Sequence, residues 1–261
     1  MLEGIYIAAS GGFKQEKNLE VITNNLANVN TVGYKRDSLA FQELLAPFPD
    51  SQGSVSSISA SGDHGFNKDA SFSGIVKLSS DFSQGAIRET GNPLDVALDG
   101  EGFFAIETKD GVRYTRQGNF RLNDASVLVT HDGNPVLGEG GQITIQGIGN
   151  IISIDIQGKI SLGDGLGNQG VGNLRVVKFN DPGKLIKTGK GLFMPTGADV
   201  NEIEADNVSV KQGAIESSNV AAVKEMTKMI EVMRTYEAYQ KVIQTIDSVN
   251  GRAVSELARI A

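Results

Sequence analysis

Three carboxylates beside one apolar segment are the residues whose types and spacing would most readily support chemistry. Asp95, Asp99 and Glu101 fall within one seven-residue stretch, and carboxylates placed together serve as glycosidase acid–base pairs or as calcium ligands. Neither the stretch at 99–101 nor the Asp-Gly-Asn sequence at 132–134 continues into the ligand series of an EF-hand loop. Because Asp before Gly is a common turn sequence, the pattern favours turns over a catalytic or calcium site.

A glycine-rich motif at residues 165–170 and two histidines are the other candidates. The sequence Gly-Leu-Gly-Asn-Gln-Gly matches the dinucleotide-binding pattern, which requires a strand before it and a helix after it. Residues 171–180 are strand-like instead, and Lys190 occupies the place of an acidic ribose ligand. His64 and His131 both lie in predicted turns without a second histidine at ligand spacing. We therefore expect no cofactor, no metal site and no enzyme activity.

Composition narrows the classes of protein further. The 261 residues include 32 glycines and no cysteine, and the net charge is −7. Without cysteine there is no disulfide framework, zinc finger, iron–sulfur cluster or thiol nucleophile, and the negative charge counts against a nucleic-acid surface. No segment approaches the roughly 18 apolar residues of a membrane span. Residues 1–17 lack the basic start and the cleavage site of a secretory signal, so we expect no membrane span and no cleaved signal peptide.

The elements that must position any functional residues begin and end with helices. Apolar side chains recur at spacings of three and four in residues 2–28, and a longer stripe does the same in residues 220–260. Residues 217–219, Ser-Ser-Asn, supply candidate N-caps for the second helix, which would be about 60 Å long. The simplest burial of both stripes is against each other and against neighbouring subunits. The residues predicted at that interface are Leu19, Ile22, Leu26, Val29, Met226, Met229, Met233, Ile243, Ile246, Leu257 and Ile260.

The middle of the chain is predicted to be all-β. Segments 103–108 and 112–116 flank Asp110-Gly111 as a hairpin, further short strands are predicted at 143–145, 151–156, 174–179 and 192–194, and no helical period occurs from 84 to 210. The predicted fold class is α+β: an all-β central domain flanked by long N- and C-terminal α-helices that pair as a coiled-coil-like terminal domain. The predicted parts are an N-terminal helix at 1–33, a connector with an extended Ser/Gly-rich arm at 34–75, a β domain at 76–214 and a C-terminal helix at 215–261. Within the connector, residues 49–73 are as typical of a loop as of an ordered arm.

Residues 24–35, Asn-Asn-Leu-Ala-Asn-Val-Asn-Thr-Val-Gly-Tyr-Lys, resemble the N-terminal signature of the bacterial flagellar basal-body rod and hook proteins. The segments 92–97, 100–104, 114–120 and 213–220 resemble the core and the ending of the same family, in the family's order. One departure is Asp124-Ala125-Ser126, where relatives commonly place a glycine before the next strand. The motif residues are Asn24, Asn25, Leu26, Ala27, Asn28, Thr31, Gly33, Tyr34 and Lys35.

The resemblance implies a structural subunit of the flagellar rod. Such a subunit would assemble with copies of itself and with other rod subunits into a helical tube that transmits torque and passes exported proteins. It also implies that the flagellar type III apparatus exports the chain, uncleaved and unfolded, to a periplasmic rod in the basal body. The implied partners include no nucleic acid and no small-molecule substrate.

The position within the rod has two alternatives. Chain length and the run Met-Arg-Thr-Tyr-Glu-Ala-Tyr-Gln at 233–240 favour a proximal rod subunit, and a distal rod subunit is the alternative. A secreted β-rich carbohydrate-binding protein is the alternative of another class. Aromatic residues make up only 6% of the chain, with no tryptophan, which counts against the aromatic platforms that carbohydrate binding would need.

Overall fold

The computed structural model describes residues 2–44, 72–146, 151–163, 168–197, 200–205 and 207–260. All but the last two residues of the predicted loop or arm at 49–73, His64 among them, lie outside the described residues. So does the first half of the glycine-rich motif, residues 165–167. Its second half begins a strand and not a helix, as the sequence predicts.

Two long helices stand at the ends of the chain, as predicted: α1, Leu2–Ala27, and α2, Ala222–Ile260. Directly after α1, both the backbone N–H and the side-chain amide of Asn28 donate to the carbonyl oxygen of Asn24, at 3.2 and 2.9 Å. The predicted N-cap at 217–219 is wrong, because α2 begins at Ala222, three residues after Asn219. Asn219 binds backbone groups of other segments, so it positions the start of α2 by tertiary contacts. In the described ranges, neither helix is long and apolar enough to cross a membrane.

The rest of the described chain is β structure with one short 3-10 helix at Pro182–Lys184. The strands, in chain order β1 to β19, are Asp37–Leu44, Phe72–Ser80, Ile87–Glu89, Val96–Asp99, Phe103–Thr108, Gly111–Thr115, Arg121–Leu122, Leu128–Val129, Leu137–Gly138, Gly141–Gln142, Ile151–Ile154, Lys159–Gly163, Asn168–Asn173, Val176–Phe179, Leu185–Gly189, Leu192–Pro195, Glu202–Glu204, Ser209–Gln212 and Ala214–Glu216. The fold class is therefore α+β, with helices flanking a β-rich middle.

The largest sheet has six strands in the order β15-β16-β6-β5-β14-β17. The predicted hairpin is its centre, since β5 and β6 pair from Phe104 with Thr115 to Thr108 with Gly111, and Gly111 supplies the positive φ of the turn. The strands β11, β14 and β16 lie within or beside the segments predicted for them. Smaller sheets join β4 to β18 and β3 to β19, which brings the segment before α2 back to the start of the β region.

The predicted strand at 143–145 is wrong. Ile143 and Ile145 are buried in the larger apolar core, as their alternation suggests. The backbone there makes only single bonds, from Leu128 N to Ile143 O and from Ile145 N to Ser126 O, and one isolated bridge at Thr144. Alternating burial identifies the inward face of an extended segment, but it does not supply a paired neighbouring strand.

The chain divides into two compact units. The terminal unit comprises Met1–Thr23, Leu39–Leu78 and Val223–Ala261, and the β unit comprises Asn24–Ser38 and Ser79–Ala222. The β unit contains both apolar clusters, one centred on Phe104, Ile106 and Ile160, the other on Phe103, Phe179 and Phe193.

Candidate functional site

The carboxylates and the described histidine do not come together as a reactive centre. Asp95 accepts hydrogen bonds from Thr90 Oγ1 at 2.7 Å and from Asn92 Nδ2 at 3.0 Å, within its own turn. Asp99 pairs with Lys211 on the neighbouring strand β18 at 2.6 Å, and His131 is exposed in a turn. Among the described residues, no three His, Asp or Glu side chains are placed to hold a metal ion. Asp95 thus stabilises its own turn, and Asp99 pairs across two neighbouring strands.

The signature segment instead forms a hydrogen-bonded junction where α1 ends and β1 begins. Asn25 is fully buried, and its side-chain amide pairs with the backbone of Asp37: Asn25 Nδ2 donates to Asp37 O and Asp37 N donates to Asn25 Oδ1, both at 2.8 Å. The hydroxyl of Tyr34 donates to Asn24 Oδ1 at 2.9 Å and lies 3.1 Å from Asn25 Oδ1. Asn25 thus satisfies the backbone N–H and C=O of Asp37, which would otherwise be buried without partners, and Asn24 accepts from the Tyr34 hydroxyl.

The signature segment also contributes Lys35 to a buried ion triad. Lys35 Nζ is 2.7 Å from Glu216 Oε1, Arg116 Nη1 is 3.3 Å from Glu216 Oε2, and the three side chains are 1%, 3% and 1% exposed for Lys35, Arg116 and Glu216. The backbone N–H of Gly85 also donates to Glu216 Oε1 at 2.8 Å. Burial lowers the pKa of Lys35, and the charge of Glu216 opposes that shift. The carboxylate therefore compensates two buried cations that come from distant parts of the chain.

Further bonds tie the signature segment to the sheet and to the segment before α2. Lys187 on β15 donates to Asp37 Oδ2 at 2.7 Å, and its ammonium lies 4.0 Å from the centre of the Tyr34 ring. Asn219 accepts from Arg36 N at 2.7 Å and donates to Asp81 O at 2.8 Å and Ser83 O at 3.0 Å. The junction therefore joins the segment after α1 and the segment before α2 within the β unit.

Gly33 has to be glycine at the turn between α1 and this junction. Its φ is +64°, and a Cβ atom there would lie 2.5 Å from the backbone carbonyl carbon of Arg116. Both the left-handed conformation and the close approach exclude a larger residue. The motif residues Asn25, Gly33, Tyr34 and Lys35 are thus buried parts of the β unit. The junction also contains residues that local sequence patterns do not single out, because their partners lie up to 183 positions away: Asp37, Arg116, Lys187, Glu216 and Asn219.

The predicted interface residues of α2 fall on two different faces. Met229, Ile243 and Ile246 are half-buried and lie on an inner stripe whose members follow one another at steps of three and four. The inner stripe consists of Met229, Val232, Tyr236, Tyr239, Ile243 and Ile246. Met226 and Met233 belong to an outer stripe whose members are between 46% and 79% exposed. The outer stripe consists of Val223, Met226, Ile230 and Met233. On α1 and the turn after it, Ile22 is buried and Leu19, Leu26 and Val29 are half-buried, while the side chains of Leu257 and Ile260 lie outside the described part of the chain.

Comparison with known proteins gives three family-model matches that follow one another along the chain. Residues 5–35 match "Flagella basal body rod protein", residues 97–162 match "Flagellar hook protein FlgE/F/G D1 domain", and residues 211–256 match "Flagellar basal body rod FlgEFG protein C-terminal". The three residues of the ion triad fall one in each match: Lys35 in the first, Arg116 in the second and Glu216 in the third.

Curated relatives align over almost the whole chain. The chain is 35% identical to the flagellar basal-body rod protein FlgG of Bacillus subtilis, over 95% of this chain and 97% of that protein. It is 33% identical to the flagellar basal-body rod protein FlgF of Caulobacter vibrioides over the full length of both. FlgG of Caulobacter vibrioides is 37% identical over 95% of this chain and 97% of that relative.

Proposed function

The chain belongs to the flagellar basal-body rod protein family, and from that premise we propose that it is a subunit of the proximal rod. As a member of the family it is a structural rod subunit and not an enzyme. In the proposal it assembles with copies of itself and with other rod subunits into a helical tube that transmits torque and lets exported proteins pass. The proximal position is supported by the chain length and the run at 233–240, and the distal rod is the alternative position.

The observation that carries the assembly proposal is the outer stripe of α2. Val223, Met226, Ile230 and Met233 follow spacings of three, four and three, so they share one face, and that face is exposed in the single chain. Contiguous exposed apolar surface marks interaction sites. Burying each of these side chains against a neighbour would contribute about 1.5–3 kcal/mol. In the proposed rod, the outer stripe of one subunit contacts a different surface of the next subunit. When the rotation between successive subunits does not close a ring, repeating such a contact builds an open helical array.

The inner stripe supports a second part of the proposal, the coiled-coil-like pairing of α1 with α2 within one subunit. Ile246 lies next to Gly4 and Tyr239 lies next to Gly11, so α2 presents its inner stripe to α1 while the outer stripe stays available to neighbours. Of the segments 1–33 and 215–261, the paired domain takes the parts that lie in the terminal unit, Met1–Thr23 and Val223–Ala261, whereas residues 24–33 and 215–222 belong to the β unit.

Delivery to the rod is the third part. We propose export through the flagellar type III apparatus as an unfolded chain without a cleaved signal, to the periplasmic part of the basal body. The absence of cysteine supports this route, because an unfolded chain that emerges into an oxidising compartment then forms no incorrect disulfide.

The test of the assembly proposal is the variant Met233→Asp, expressed in cells that lack their own copy of the gene. A carboxylate on the outer stripe would be desolvated without a partner in the assembled rod, so we expect export of the chain, loss of incorporation into purified basal bodies and loss of motility. The unfolding transition of the β unit should stay unchanged.

The matched control is Gln244→Asp, which adds the same charge at an exposed position of the same helix. It should be incorporated normally. Normal incorporation of Met233→Asp would overturn the assignment of the outer stripe as an interface.

A further inference from the structure

Tyr239 of α2 lies against a notch that two glycines form in α1. A Cβ atom built at Gly11 would lie 2.4 Å from both Cε1 and Cζ of the Tyr239 ring and 2.9 Å from its hydroxyl oxygen. The adjacent Gly12 is buried, and a Cβ atom there would lie 3.9 Å from Cβ of Tyr239. The aromatic ring therefore occupies the space that any larger residue at position 11 would need.

A second contact gives the direction and the alignment of the two helices. A Cβ atom at Gly4 would lie 3.5 Å from Cδ1 of Ile246, an ordinary van der Waals distance. Moving seven residues forward along α1, from Gly4 to Gly11, corresponds to moving seven residues back along α2, from Ile246 to Tyr239. The helices therefore run antiparallel, and the two contacts are separated by about two turns on each helix. Of these two contacts, the one at Gly11 excludes a side chain and the one at Gly4 does not.

Glycine is unfavourable in a helix interior unless something requires it, because it loses more conformational freedom on folding than other residues. At Gly251 of α2, nothing lies within 4 Å of an added Cβ atom, so no contact there depends on glycine. At Gly11, in contrast, the Tyr239 ring leaves no room for a side chain, so glycine is required there. Gly11 and Gly251 both lie inside long helices, but the Tyr239 ring faces Gly11 and no atom lies close to Gly251.

The sequence on either side of the notch restricts other alignments. Sliding α2 by one heptad along α1 in one direction would bring Tyr239 level with Asn18, whose side chain would fill the space that the ring needs. Sliding it in the other direction would bring Tyr239 level with Gly4, which is followed by Ile5 where the notch has Gly12. Only the observed alignment gives the ring two consecutive glycines.

We infer that Gly11 and Tyr239 determine the register and the closeness of the pairing between α1 and α2. The inference rests on the proposed function, in which these two helices pair within each subunit. A larger residue at position 11 excludes the ring, so the helices must separate or slide. A smaller residue at position 239 removes that conflict, so the two substitutions should compensate each other.

The experiment uses the absence of cysteine in the full-length chain. The parent carries Gly4→Cys and Ile246→Cys, and the rate of intramolecular disulfide formation under a mild oxidant reports how often these two helix positions meet. Adding Gly11→Ala should slow the reaction by about tenfold, as expected for an overpacked contact. Adding Tyr239→Ala to that variant should restore the rate to within about threefold of the parent.

The control is Gly251→Ala in the same parent, which adds the same methyl group where nothing opposes it and should leave the rate unchanged. An unchanged rate in Gly11→Ala, or a parent that forms no intramolecular disulfide, would overturn the inference. Rapid cross-linking in the parent and loss of it in Gly11→Ala would support it. If the cysteine-free chain then fails to enter basal bodies, the proposed function is wrong and the inference about register stands.

Discussion

The change Glu216→Gln tests whether the buried triad holds the junction together. Glutamine keeps the shape of the side chain and one acceptor oxygen but removes the charge. Lys35 and Arg116 then stay buried, 1% and 3% exposed, with no carboxylate between them. Removing one partner of a buried ion pair lowers the free energy of unfolding by about 3–5 kcal/mol.

The lower end of that range applies to this site. Lys35 Nζ still donates to Ser83 O at 2.8 Å, and Arg116 Nη2 still donates to Gly100 O at 2.7 Å, so neither cation loses every partner. We therefore expect the free energy of unfolding of the β unit to fall by about 3 kcal/mol. For a unit of residues 24–38 and 79–222, that loss corresponds to a decrease in Tm of about 6–12 °C.

The assay is urea unfolding of the full-length chain followed by far-ultraviolet circular dichroism, with hydrogen exchange of the β5 and β6 amides reporting on the β unit alone. Glu89→Gln is the matched control, because it makes the same change on an exposed side chain. It should shift stability by less than about 0.5 kcal/mol. In a double-mutant cycle, Glu216→Gln should lower the free energy of unfolding by a smaller amount when Lys35→Met is already present. If Glu216→Gln unfolds with the same midpoint as Glu89→Gln, the triad does not stabilise the junction.

Two further changes test the β unit. Ser126→Gly should raise the free energy of unfolding by up to about 1 kcal/mol, because Ser126 has a φ of +60° and a residue with a Cβ atom is strained there; a decrease in the urea midpoint would contradict this. Asp81→Asn should destabilise the β unit in a pH-dependent way, because the hydrogen bond from Ser83 N at 2.9 Å lowers the pKa of the Asp81 carboxyl. A lowered folded-state pKa gives stability that is complete above the unfolded pKa of about 4 and is lost as the pH falls through the folded value. The difference between wild type and Asp81→Asn should thus be constant near neutral pH and shrink below about pH 4, and a difference that grows on acidification would refute the assignment.

The sequence predicts the elements that have a regular period and local turn chemistry. Both helices and the β5–β6 hairpin follow from spacings of three and four and from Asp110-Gly111. The resemblance to the family also indicates a departure at 124–126, and Ser126 there has the positive φ that favours glycine. Strands of two to four residues, such as β9 and β10, carry too few residues for a period to appear.

The junction could not be predicted because its partners are far apart in the chain. Lys35 and Glu216 are 181 positions apart, and nothing local distinguishes either from a solvated surface charge. The division of the apolar residues of α2 into two faces could not be predicted either. The apolar spacing of α2 indicates a helix surface that becomes buried, but the division into an inner face toward α1 and an outer face depends on where Gly4 and Gly11 lie in space.

The most direct test of the central claim, that the outer stripe of α2 is buried between subunits of the rod, is the accessibility of one introduced thiol. Met233→Cys gives this cysteine-free chain a single reactive site on the outer stripe, and the rate of its alkylation is measured on the purified chain and on intact basal bodies. Assembly should slow alkylation by at least about tenfold, since a buried thiol reacts only through opening of its surroundings. Equal rates in the free chain and in basal bodies that contain it would contradict the account.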